Sequence, residues 1–396
     1  MNEVSRCPMS AMRDDRKSAG IAEANVAIDP RTTGVGSFGF VREILRSPEV
    51  KQDLYEFRND ALHDPEHLPV IFLDGELHKK RRGQLMRFFT PKAIKERHRL
   101  VMEQTTAELV AELRRTGRAR LDLMSMQLAC DVAAVIVGLT NSNRKAMARR
   151  IRLTFASIGM DRSRGLGRLV HRLLTIAKTM SFFWLDVMPA IRARKKQRDE
   201  DIISFLIDEG YTNRQILVEC MTYATAGMLT TREFIVMVAW HLLEEPDVRQ
   251  QFLDGGEETQ FAILDEIIRL EPVAALLQRR AEVDMSGPNG EQVQAGEHLT
   301  LDLRAANVDE ASVGECPLAL DPDRAKRQRM TTSWLSFGDG PHRCPGAQVA
   351  LHETRVFIDA LLRVPGIRLA NAPTLGWCAA INGYELHNAF VECENG

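Results

Sequence analysis

A single cysteine, Cys344, stands in the glycine- and proline-rich segment FGDGPHRCPG, residues 337–346. The sequence that follows, AQVALHETRVFIDALL, has the apolar spacing of a helix. A thiolate just before a helix has a lowered pKa, because unpaired backbone N–H groups and the helix dipole favour negative charge there. Gly338, Gly340 and Gly346 permit backbone conformations and close approaches that side chains would block. The residue types therefore favour a pre-organised thiolate that faces a flat surface.

Haem iron suits such a thiolate, because an axial sulfur ligand pushes electron density toward the iron and favours O–O cleavage. For an isolated cysteine, a buried structural thiol in a tight turn is the alternative. The pattern F-G-x-G-x-H-x-C-x-G, however, resembles the haem-binding signature of the cytochrome P450 superfamily at every fixed position. The resemblance, to the bacterial soluble members, runs from about Phe40 to the end of the chain. It implies haem b as the cofactor and Cys344 as the iron ligand. The other cofactor contacts that it implies here are Phe337, Gly338, His342 and Gly346, with His342 near a haem propionate.

The composition is that of a soluble globular protein, with 396 residues, 44% hydrophobic, 27% charged and a formal net charge of −2. The polar N-terminus lacks the apolar core of a signal peptide. The longest apolar segment, residues 221–243, is interrupted by Arg232 and Glu233, so no membrane span is expected. The seven cysteines are odd in number and contain no C-x-x-C pair, which favours a reducing cytoplasm without a zinc site or a disulfide framework. We therefore expect a cytoplasmic protein without a nucleic-acid or membrane partner.

The pattern of apolar and turn-forming residues along the chain predicts a mainly α fold with a smaller β region. Residues 1–35 are expected to form a poorly ordered arm, and residues 40–270 are mostly helical by their three- and four-residue apolar spacing. Residues 281–304 show turn signals and alternation typical of short strands. Residues 305–343 form a long irregular segment, which is usually functional. With no repeat or linker, residues 36–396 are predicted to be one domain; the resemblance implies a P450-like fold with haem between an oxygen-activating helix and the cysteine-ligand loop.

Glu266 and Arg269 lie three residues apart on a predicted helix and so share one face. Taken alone, a surface ion pair would explain them. The P450 superfamily has an E-x-x-R at this distance before the cysteine loop, where it pairs with a later arginine and braces the loop. The resemblance implies Arg324, in LDPDRA, as that third member.

Two further segments resemble sites that bind the haem propionates, which is a task for charge-assisted pairing. In LHKKRRGQL, His78 and Arg82 are four apart on one helical face, and the resemblance turns both toward haem. The intervening cations are expected to be solvated: Lys79, Lys80 and Arg81. In PVAALLQRRA, Arg279 occupies the position of a propionate-binding arginine, and Arg280 is the less favoured choice.

Two basic clusters, RARKKQR at residues 192–198 and RAKRQR at residues 324–329, are most simply solvated faces. The resemblance places the second cluster, with parts of residues 79–87, on the proximal side of haem. A basic proximal face would attract an acidic ferredoxin and speed its encounter. The partners that this implies are such a ferredoxin, with its reductase.

The segment AGMLTTREF resembles the helix with which P450s activate oxygen, A-G-x-acid-T-[T/S]. Ala226 and Gly227 are small enough for close approach, and Thr230 lies on the same face as Ala226. The resemblance makes Thr230 and its neighbour Thr231 catalytic in proton delivery. Leucine at position 229 replaces the acid, and leucine neither donates nor accepts a proton.

Several routes around this missing acid stay open. One is Glu233, a turn further on, although a surface or ion-paired glutamate is the commoner fate. The others are a relay through water, slow or uncoupled oxygen activation, use of peroxide, or a substrate hydroxyl that completes the relay.

The segments that bind substrate by resemblance are largely apolar and include residues 59–73, 154–183, 221–231, 273–277 and 380–382. Within them the pocket residues are expected to be Leu229, Val273, Leu276, Ala380 and Ile381. Ordinary core packing would also explain them. We expect an apolar small molecule, such as a terpenoid, a steroid, a fatty acid or a secondary-metabolite scaffold.

The resemblance implies a haem-thiolate monooxygenase that inserts one oxygen atom from O2 into such a molecule, with electrons from NAD(P)H through a ferredoxin-type partner. Two alternatives stay open. One is a peroxide-using or otherwise atypical oxidative P450, suggested by Leu229. The other is a haem-binding protein without catalytic activity.

Overall fold

The structure is a computed structural model that describes residues 13–20, 31–53, 67–155, 166–330 and 333–394. It is mainly helical with several small sheets, which confirms the predicted fold class. The α-helices fully contained in these ranges are α1 (Phe38–Arg46), α2 (Gly75–Leu85), α3 (Pro91–Ala93), α4 (Arg99–Thr116), α5 (Leu121–Val137), α6 (Arg144–Phe155), α7 (Leu166–Phe182), α8 (Met188–Lys196), α9 (Ile202–Asp208), α10 (Asn213–Tyr223), α11 (Thr230–Glu244), α12 (Pro246–Asp254), α13 (Glu257–Leu270), α14 (Leu303–Ala306), α15 (Glu310–Val313), α16 (Arg324–Arg327) and α17 (Ala347–Leu362).

Short helical turns and strands complete the described elements. The 3₁₀ turns are Val70–Phe72, Met86–Phe89 and Gly340–His342, and the π turns are Ile94–His98, Phe183–Val187 and Ala224–Leu229. The strands are β1 (Thr33–Val35), β2 (Val50–Gln52), β3 (Arg118–Arg120), β4 (Leu276–Ala281), β5 (Met285–Ser286), β6 (Gln292–Val293), β7 (His298–Asp302), β8 (Arg368–Asn371), β9 (Thr374–Cys378), β10 (Gly383–His387) and β11 (Phe390–Glu392).

The chain divides into two compact units, the first formed by residues 1–53 and 245–344 and the second by residues 54–244 and 345–396. The single domain expected over residues 36–396 stays a prediction. So does the poorly ordered arm expected over residues 1–35, of which residues 1–12 and 21–30 lie outside the described residues.

The first unit is built on a four-stranded sheet of order β1-β7-β4-β2, in which β1 runs parallel to β7 and the other pairs are antiparallel. Helix α1 presents Phe40, Val41 and Ile44, each at most 1% exposed, to the same core as Leu299 and Leu301 of β7. This burial of apolar side chains holds helix and sheet together.

The second unit is organised around four helices, α4, α5, α11 and α17, which pack against one another. Helices α5 and α11 are apolar almost all round, which is typical of helices buried in a core rather than lying at a surface. Helix α5 ends at Gly138, whose φ of 100° is left-handed, and this allows the chain to turn sharply after the helix. The bundle fixes the start of α11 and the middle of α17, which carry residues of the site.

One helical run in the described part of the chain, Leu169–Lys196, is long and apolar enough by length and composition to cross a membrane. It has 28 residues and a hydropathy of 1.2, and 33% of its most apolar window is buried. Polar and basic residues interrupt the run, so it is not a continuous apolar stretch in the sequence. Only a third of the window is buried, so most of its apolar surface lies outside the core.

One cysteine differs from the expectation that the chain has no disulfide framework. Cys316 is disulfide-bonded, whereas the described free cysteines are Cys130, Cys220, Cys344, Cys378 and Cys393.

Arg81 corrects a second expectation, because it is buried at 8% exposure instead of belonging to a solvated basic face. Its guanidinium lies 5.1 Å from the ring centre of Tyr211 and 3.7 Å from the Glu209 carboxylate. A second carboxylate nearby, Glu219 of α10, is 2% exposed. Burial raises the pKa of Glu219 to about 7, although the positive charge of Arg81 opposes the rise.

We expect Glu219→Gln to change how stability depends on pH. The folded pKa of Glu219 is about 7 and the ordinary value is 4.5, so between these pH values the folded protein binds more protons than the unfolded chain. Wild-type stability therefore falls as pH rises through this window, by up to about 3 kcal/mol from this group. Because Glu219→Gln lacks this loss, its stability relative to wild type should increase from pH 5 to pH 8 in thermal unfolding curves. The control, Glu209→Gln, removes a partner of Arg81 but leaves the buried carboxyl. A pH-independent difference between Glu219→Gln and wild type would contradict the prediction.

Candidate functional site

The Cys344 loop is folded tightly on itself within the first unit. The Cys344 backbone N–H donates to the Phe337 carbonyl at 2.7 Å, which closes the loop. Gly338 and Gly340 have φ values of 68° and 63°, in the left-handed region that favours glycine. A Cβ on Gly340 would lie 2.4 Å from the carbonyl oxygen of Leu45, so only glycine fits against the end of α1. The loop therefore presents Cys344, a half-buried cysteine outside any disulfide, on a fixed backbone.

Asp339, which the sequence analysis did not single out, anchors this loop. Its carboxylate accepts a hydrogen bond from the Gly340 N–H at 2.7 Å and ion-pairs with Arg42 at 3.1 Å and Arg46 at 2.9 Å. Burial alone would raise the pKa of Asp339. The Gly340 N–H and the two guanidinium groups outweigh burial and hold the pKa below its ordinary value. Asp339 is thus a stable anion that ties the loop to α1.

Glu266, Arg269 and Arg324 meet in one buried cluster of the first unit. Glu266 Oε1 accepts from Arg269 Nη2 at 2.7 Å and from Arg324 Nε at 2.9 Å, and all three residues are at most 2% exposed. The remaining guanidinium N–H groups donate to backbone carbonyls: Arg269 to Asn307, Pro317 and Ala319, and Arg324 to Val313, Glu315, Cys316 and Ala319. Because each charge is paired and hydrogen-bonded, the buried cluster is tolerated. It ties α13 to the segment 307–324.

Asn307 extends this cluster to the cysteine loop. Its side chain accepts from the Leu335 N–H at 3.0 Å and donates to Ser336 Oγ at 2.8 Å. Ser336 Oγ in turn donates to the carbonyl of Ile268 in α13 at 2.6 Å. A continuous set of hydrogen bonds therefore leads from the Glu266 cluster to the residues just before Phe337.

In the second unit, Thr230 follows the π turn Ala224–Leu229 and opens α11. Its hydroxyl donates to the Ala226 carbonyl at 2.7 Å, so the side chain is held back over that turn. A Cβ on Gly227 would meet no heavy atom within 4 Å, so the backbone there borders open space. Leu229, in contrast, is buried. Ala226, Gly227 and Thr230 thus form an accessible strip at a π turn, a feature frequent at functional sites.

The side chain of Thr231 is not part of this strip. It is 5% exposed, and its side chain hydrogen-bonds Glu353 of α17. Burial raises the pKa of Glu353 well above its ordinary value, and the bond to Thr231 only partly offsets this. Glu353 was not singled out from the sequence, and the signal that identifies it is a carboxyl on the apolar face of a helix.

Arg232 and Glu233 fasten the β9–β10 hairpin to α11. Arg232 Nη2 donates to the Leu386 carbonyl at 2.7 Å, and Glu233 Oε2 accepts from the Leu386 N–H at 2.8 Å. The two side chains also ion-pair with each other at 2.8 Å. Burial raises the pKa of Glu233 to about 7, although Arg232 opposes the rise. Glu233 is therefore held in an ion pair, which is the commoner fate expected for it.

The hairpin borders a cleft that brings Leu229 and Ile381 together, two of the residues expected to contact substrate. The cleft is more polar than the sequence suggested, since charged side chains form half of its lining. The remaining lining residues are Arg152, Phe155, Arg232, Glu233, Cys378 and Glu385. Ala380 is half-buried in the hairpin turn. Val273 and Leu276 are buried in the first unit. Of the expected substrate segments, residues 59–66 and 156–165 lie outside the described residues.

The predicted propionate ligands differ in burial. His78 is 3% exposed and Arg82 is half-buried, both on α2. Arg279 is 8% exposed on β4 and donates to the Gln278 carbonyl at 2.7 Å, whereas the Arg280 side chain is 42% exposed. His342 is half-buried in the 3₁₀ turn of the cysteine loop. The preference for Arg279 over Arg280 agrees with this difference in burial.

A family model described as Cytochrome P450 matches residues 261–364, which include the Glu266 cluster and the Cys344 loop. The biotin biosynthesis cytochrome P450 of Bacillus subtilis (strain 168) is 25% identical over 328 residues, 81% of this chain and 77% of that protein. The mycinamicin IV hydroxylase/epoxidase of Micromonospora griseorubida is 31% identical over 196 residues, 47% of each chain. The chain belongs to the cytochrome P450 superfamily. It is a P450 oxidoreductase, and its cofactor is haem b.

Solved P450 structures share the fold. The crystal structure of P450BioI in complex with hexadec-9Z-enoic acid ligated acyl carrier protein has a TM-score of 0.75 and 22% identity, and the match covers 91% of this chain and 92% of that one. The mainly helical architecture is thus that of a P450.

The described residues fit a haem-thiolate centre. Cys344 is a cysteine outside any disulfide, and sulfur is the soft donor that a haem-thiolate centre requires. The left-handed Gly338 and Gly340 keep side chains off the loop, and the open space over Gly227 leaves room beside the π turn that precedes α11. His78 and Arg279 provide buried nitrogen donors of the kind that pair with carboxylates.

We expect Glu266→Ala to destabilise this P450 by about 3–5 kcal/mol, because it leaves Arg269 and Arg324 as buried charges without a carboxylate. Bound haem should be lost at a lower temperature than in wild type. The matched control is Glu112→Ala, which removes another Glu–Arg pair three residues apart on a helix, with side chains 57% and 70% exposed. Thermal unfolding and haem absorbance of the purified proteins measure both effects. Equal effects of the two substitutions would show that burial of the Glu266 cluster does not matter.

Proposed function

We propose that this P450 is a monooxygenase that inserts one oxygen atom from O2 into a C–H bond or a double bond of an apolar small molecule. The observation that carries the proposal is the accessible strip of Ala226, Gly227 and Thr230 at the π turn. Simple haem storage would not need a hydroxyl held over an open backbone. The related mycinamicin IV hydroxylase/epoxidase supports the two kinds of bond, since its name includes both reactions.

Cys344 would ligate the haem iron through its thiolate, on the backbone that Asp339 and the Glu266 cluster hold in place. His78, Arg82, Arg279 and His342 would hold the propionates. Phe337, Gly338 and Gly346 would line the haem at the loop, and Ala226 and Gly227 would border it at the helix. Bound haem supplies the reductive activation of O2 and the transfer of one oxygen atom.

Thr230 is the proposed proton-handling group. Its hydroxyl proton is engaged by the Ala226 carbonyl, so its oxygen lone pairs are available to accept a hydrogen bond from water or substrate. Leu229 cannot recharge this site with a proton. Glu233 is held by Arg232 and Leu386, which argues against it as a relay. Thr231 is engaged by Glu353, so its role is to position the start of α11. Protons would therefore reach Thr230 through water or through a substrate hydroxyl.

The substrate is proposed to be an apolar scaffold of a terpenoid, steroid, fatty acid or secondary metabolite. Leu229, Phe155 and Ile381 give the described cleft an apolar side. Arg152, Arg232 and Glu385 give it a charged side, so a substrate with one polar group is favoured over a pure hydrocarbon. The relatives named for biotin biosynthesis and mycinamicin support a place in biosynthesis.

The electrons are proposed to come from NAD(P)H through an acidic ferredoxin and its reductase, in the cytoplasm. Exposed cations support such a partner: Arg42 and Arg46 beside Asp339, and Lys326 and Arg329 near α16. Arg324 is buried, so the basic cluster at residues 324–329 is smaller than its sequence suggested.

We expect Lys326→Glu combined with Arg329→Glu to slow reduction by a reduced acidic ferredoxin by about tenfold at low salt, because charge complementarity governs encounter. The difference from wild type should shrink as salt is raised. Stopped-flow absorbance of the haem follows the rate. The control is Arg115→Glu, an exposed charge reversal on α4 outside the proposed face. If that control slows reduction equally, the effect is one of net charge and the docking face is wrong.

Thr230→Ala is expected to leave NAD(P)H consumption running while product formation per turnover falls about 10²-fold, the usual contribution of a positioned proton-transfer group. Hydrogen peroxide should accumulate in place of product. The substrate for this assay is the compound class that gives a saturable optical shift of the ferric protein in a panel of terpenoids, steroids, fatty acids and aromatic metabolites.

Thr222→Ala is the matched control for Thr230→Ala. The Thr222 hydroxyl also donates to the carbonyl four residues earlier, at 3.0 Å, but in α10. Unchanged coupling in Thr230→Ala would remove Thr230 from the mechanism. Full product formation with added peroxide and none with NAD(P)H would favour the peroxide-using alternative, and no turnover with either would favour a haem-binding protein without catalysis.

A further inference from the structure

Eight of the thirteen large apolar side chains that are exposed in the described part of the chain lie within residues 169–185. Helix α7 and the π turn Phe183–Val187 carry them. We name this set the α7 strip: Leu169, Val170, Leu173, Leu174, Ile176, Met180, Trp184 and Leu185. Core helices of globular proteins turn such residues inward, so a cluster of this size on the outside indicates an interaction surface.

The α7 strip is continuous on the helix surface. At about 100° per residue, its members cover an arc of roughly 180°, over a length of about 22 Å. Arg172 lies just beyond one border of this arc and Lys178 just beyond the other. Phe182 points to the opposite side and is 1% exposed, which marks the face that packs on the protein. The helix thus presents an apolar face outward with a cation at each border.

The charged side chains within residues 166–185, around the α7 strip, are all positive. Residues 166–185 contain no aspartate or glutamate. Beyond them, on the same helical run, α8 and the residues after it carry the exposed cations of the cluster RARKKQR: Arg192, Lys195, Lys196 and Arg198. An apolar face bordered by Lys and Arg, with an interfacial tryptophan, is the pattern of helices that lie in the plane of a membrane surface.

We propose that the α7 strip docks this protein on the surface of an anionic lipid bilayer. The apolar face would enter the headgroup–acyl boundary, while Arg172 and Lys178 would extend to lipid phosphates. A second copy of the chain fits less well, because a symmetric contact would bring like cations together. An acidic protein partner would need a long apolar groove to match a strip that is almost entirely aliphatic.

The run lies on the membrane and does not cross it. Asp186, at the end of the strip, is 0% exposed and accepts hydrogen bonds from Nε and Nη2 of Arg150, at 2.7 and 2.6 Å. Arg194 of α8 is buried and pairs with Asp201. Crossing a bilayer would break both buried pairs, which is strongly destabilising. The proposal departs from the expectation of no membrane partner, and it does not depend on the proposed monooxygenation.

The test is flotation of the purified holoprotein with vesicles of phosphatidylcholine alone or with 30% phosphatidylglycerol. We expect binding to the anionic vesicles, weaker binding to the neutral ones, and release at high salt. Leu173→Glu should weaken binding roughly tenfold or more, because a leucine side chain that would enter the headgroup–acyl boundary is replaced by a charge. The matched control is Leu100→Glu, at an exposed leucine of α4 outside the strip, which should bind as wild type does.

Circular dichroism and haem absorbance of each variant separate lost docking from lost folding. If Leu173→Glu does not fold, Arg172→Glu is the second variant for the same assay, and it should reduce binding to anionic vesicles only. Absence of wild-type binding to anionic vesicles would overturn the proposal, as would equal binding of wild type and folded Leu173→Glu. A dimer in sedimentation that Leu173→Glu dissociates, without vesicle binding, would assign the strip to a second copy instead.

Discussion

The buried carboxylate of Glu266 is the charge on which the Cys344 loop depends. It pairs with two guanidinium groups, and the remaining N–H groups of those arginines hold the carbonyls of an otherwise irregular segment. Asn307, at the edge of that segment, then bonds the residues that lead into the loop. The segment between α14 and the loop, which contains only the short helices α15 and α16 as regular structure, is thus organised by side chains instead of by a backbone ladder. The cost of burying three charges is met only because every partner is present.

The helical fold and the shared face of Glu266 and Arg269 could be predicted from the sequence, because both depend on spacing along the chain. Arg324 is the instructive case. Arg324 is not on the same predicted helix as Glu266, so only the resemblance to P450s connected the two residues. In the structure Arg324 Nε lies 2.9 Å from Glu266 Oε1. Asp339 and Glu353 could not be found in this way. Their importance arises from groups far away in the sequence, the guanidinium groups of α1 and the hydroxyl of Thr231.

The surroundings of Leu229 give a physical reason why leucine occupies the position of the acid. Leu229 does not face the same way as Thr230, since it is buried against a cleft in which Arg232 is already paired with Glu385. An acid at this position would add a further negative charge beside Glu233 and Glu385. The charged side chains of Arg232 and Glu233, which fasten the β9–β10 hairpin to α11, and the acid that the P450 pattern has at position 229 therefore compete for the same space. This chain has Arg232 and Glu233 fastened to β10, and a leucine where the acid would stand.

Periodicity alone does not say which face of a helix is turned inward. Residues 169–185 have the three- and four-residue apolar spacing of a core helix, and the resemblance to P450s placed residues 154–183 among the substrate segments, with core packing as the alternative. In the structure most of those apolar residues point outward, and the inward face is the narrower one that contains Phe182. The signal that distinguishes the two cases is the charge pattern. A helix that packs its apolar face inward usually carries both signs on its outer face, whereas α7 has cations and no carboxylate, with Arg172 and Lys178 at the borders of its apolar arc. Charge sign and position along a helix therefore carry information about its surroundings that hydrophobic spacing lacks.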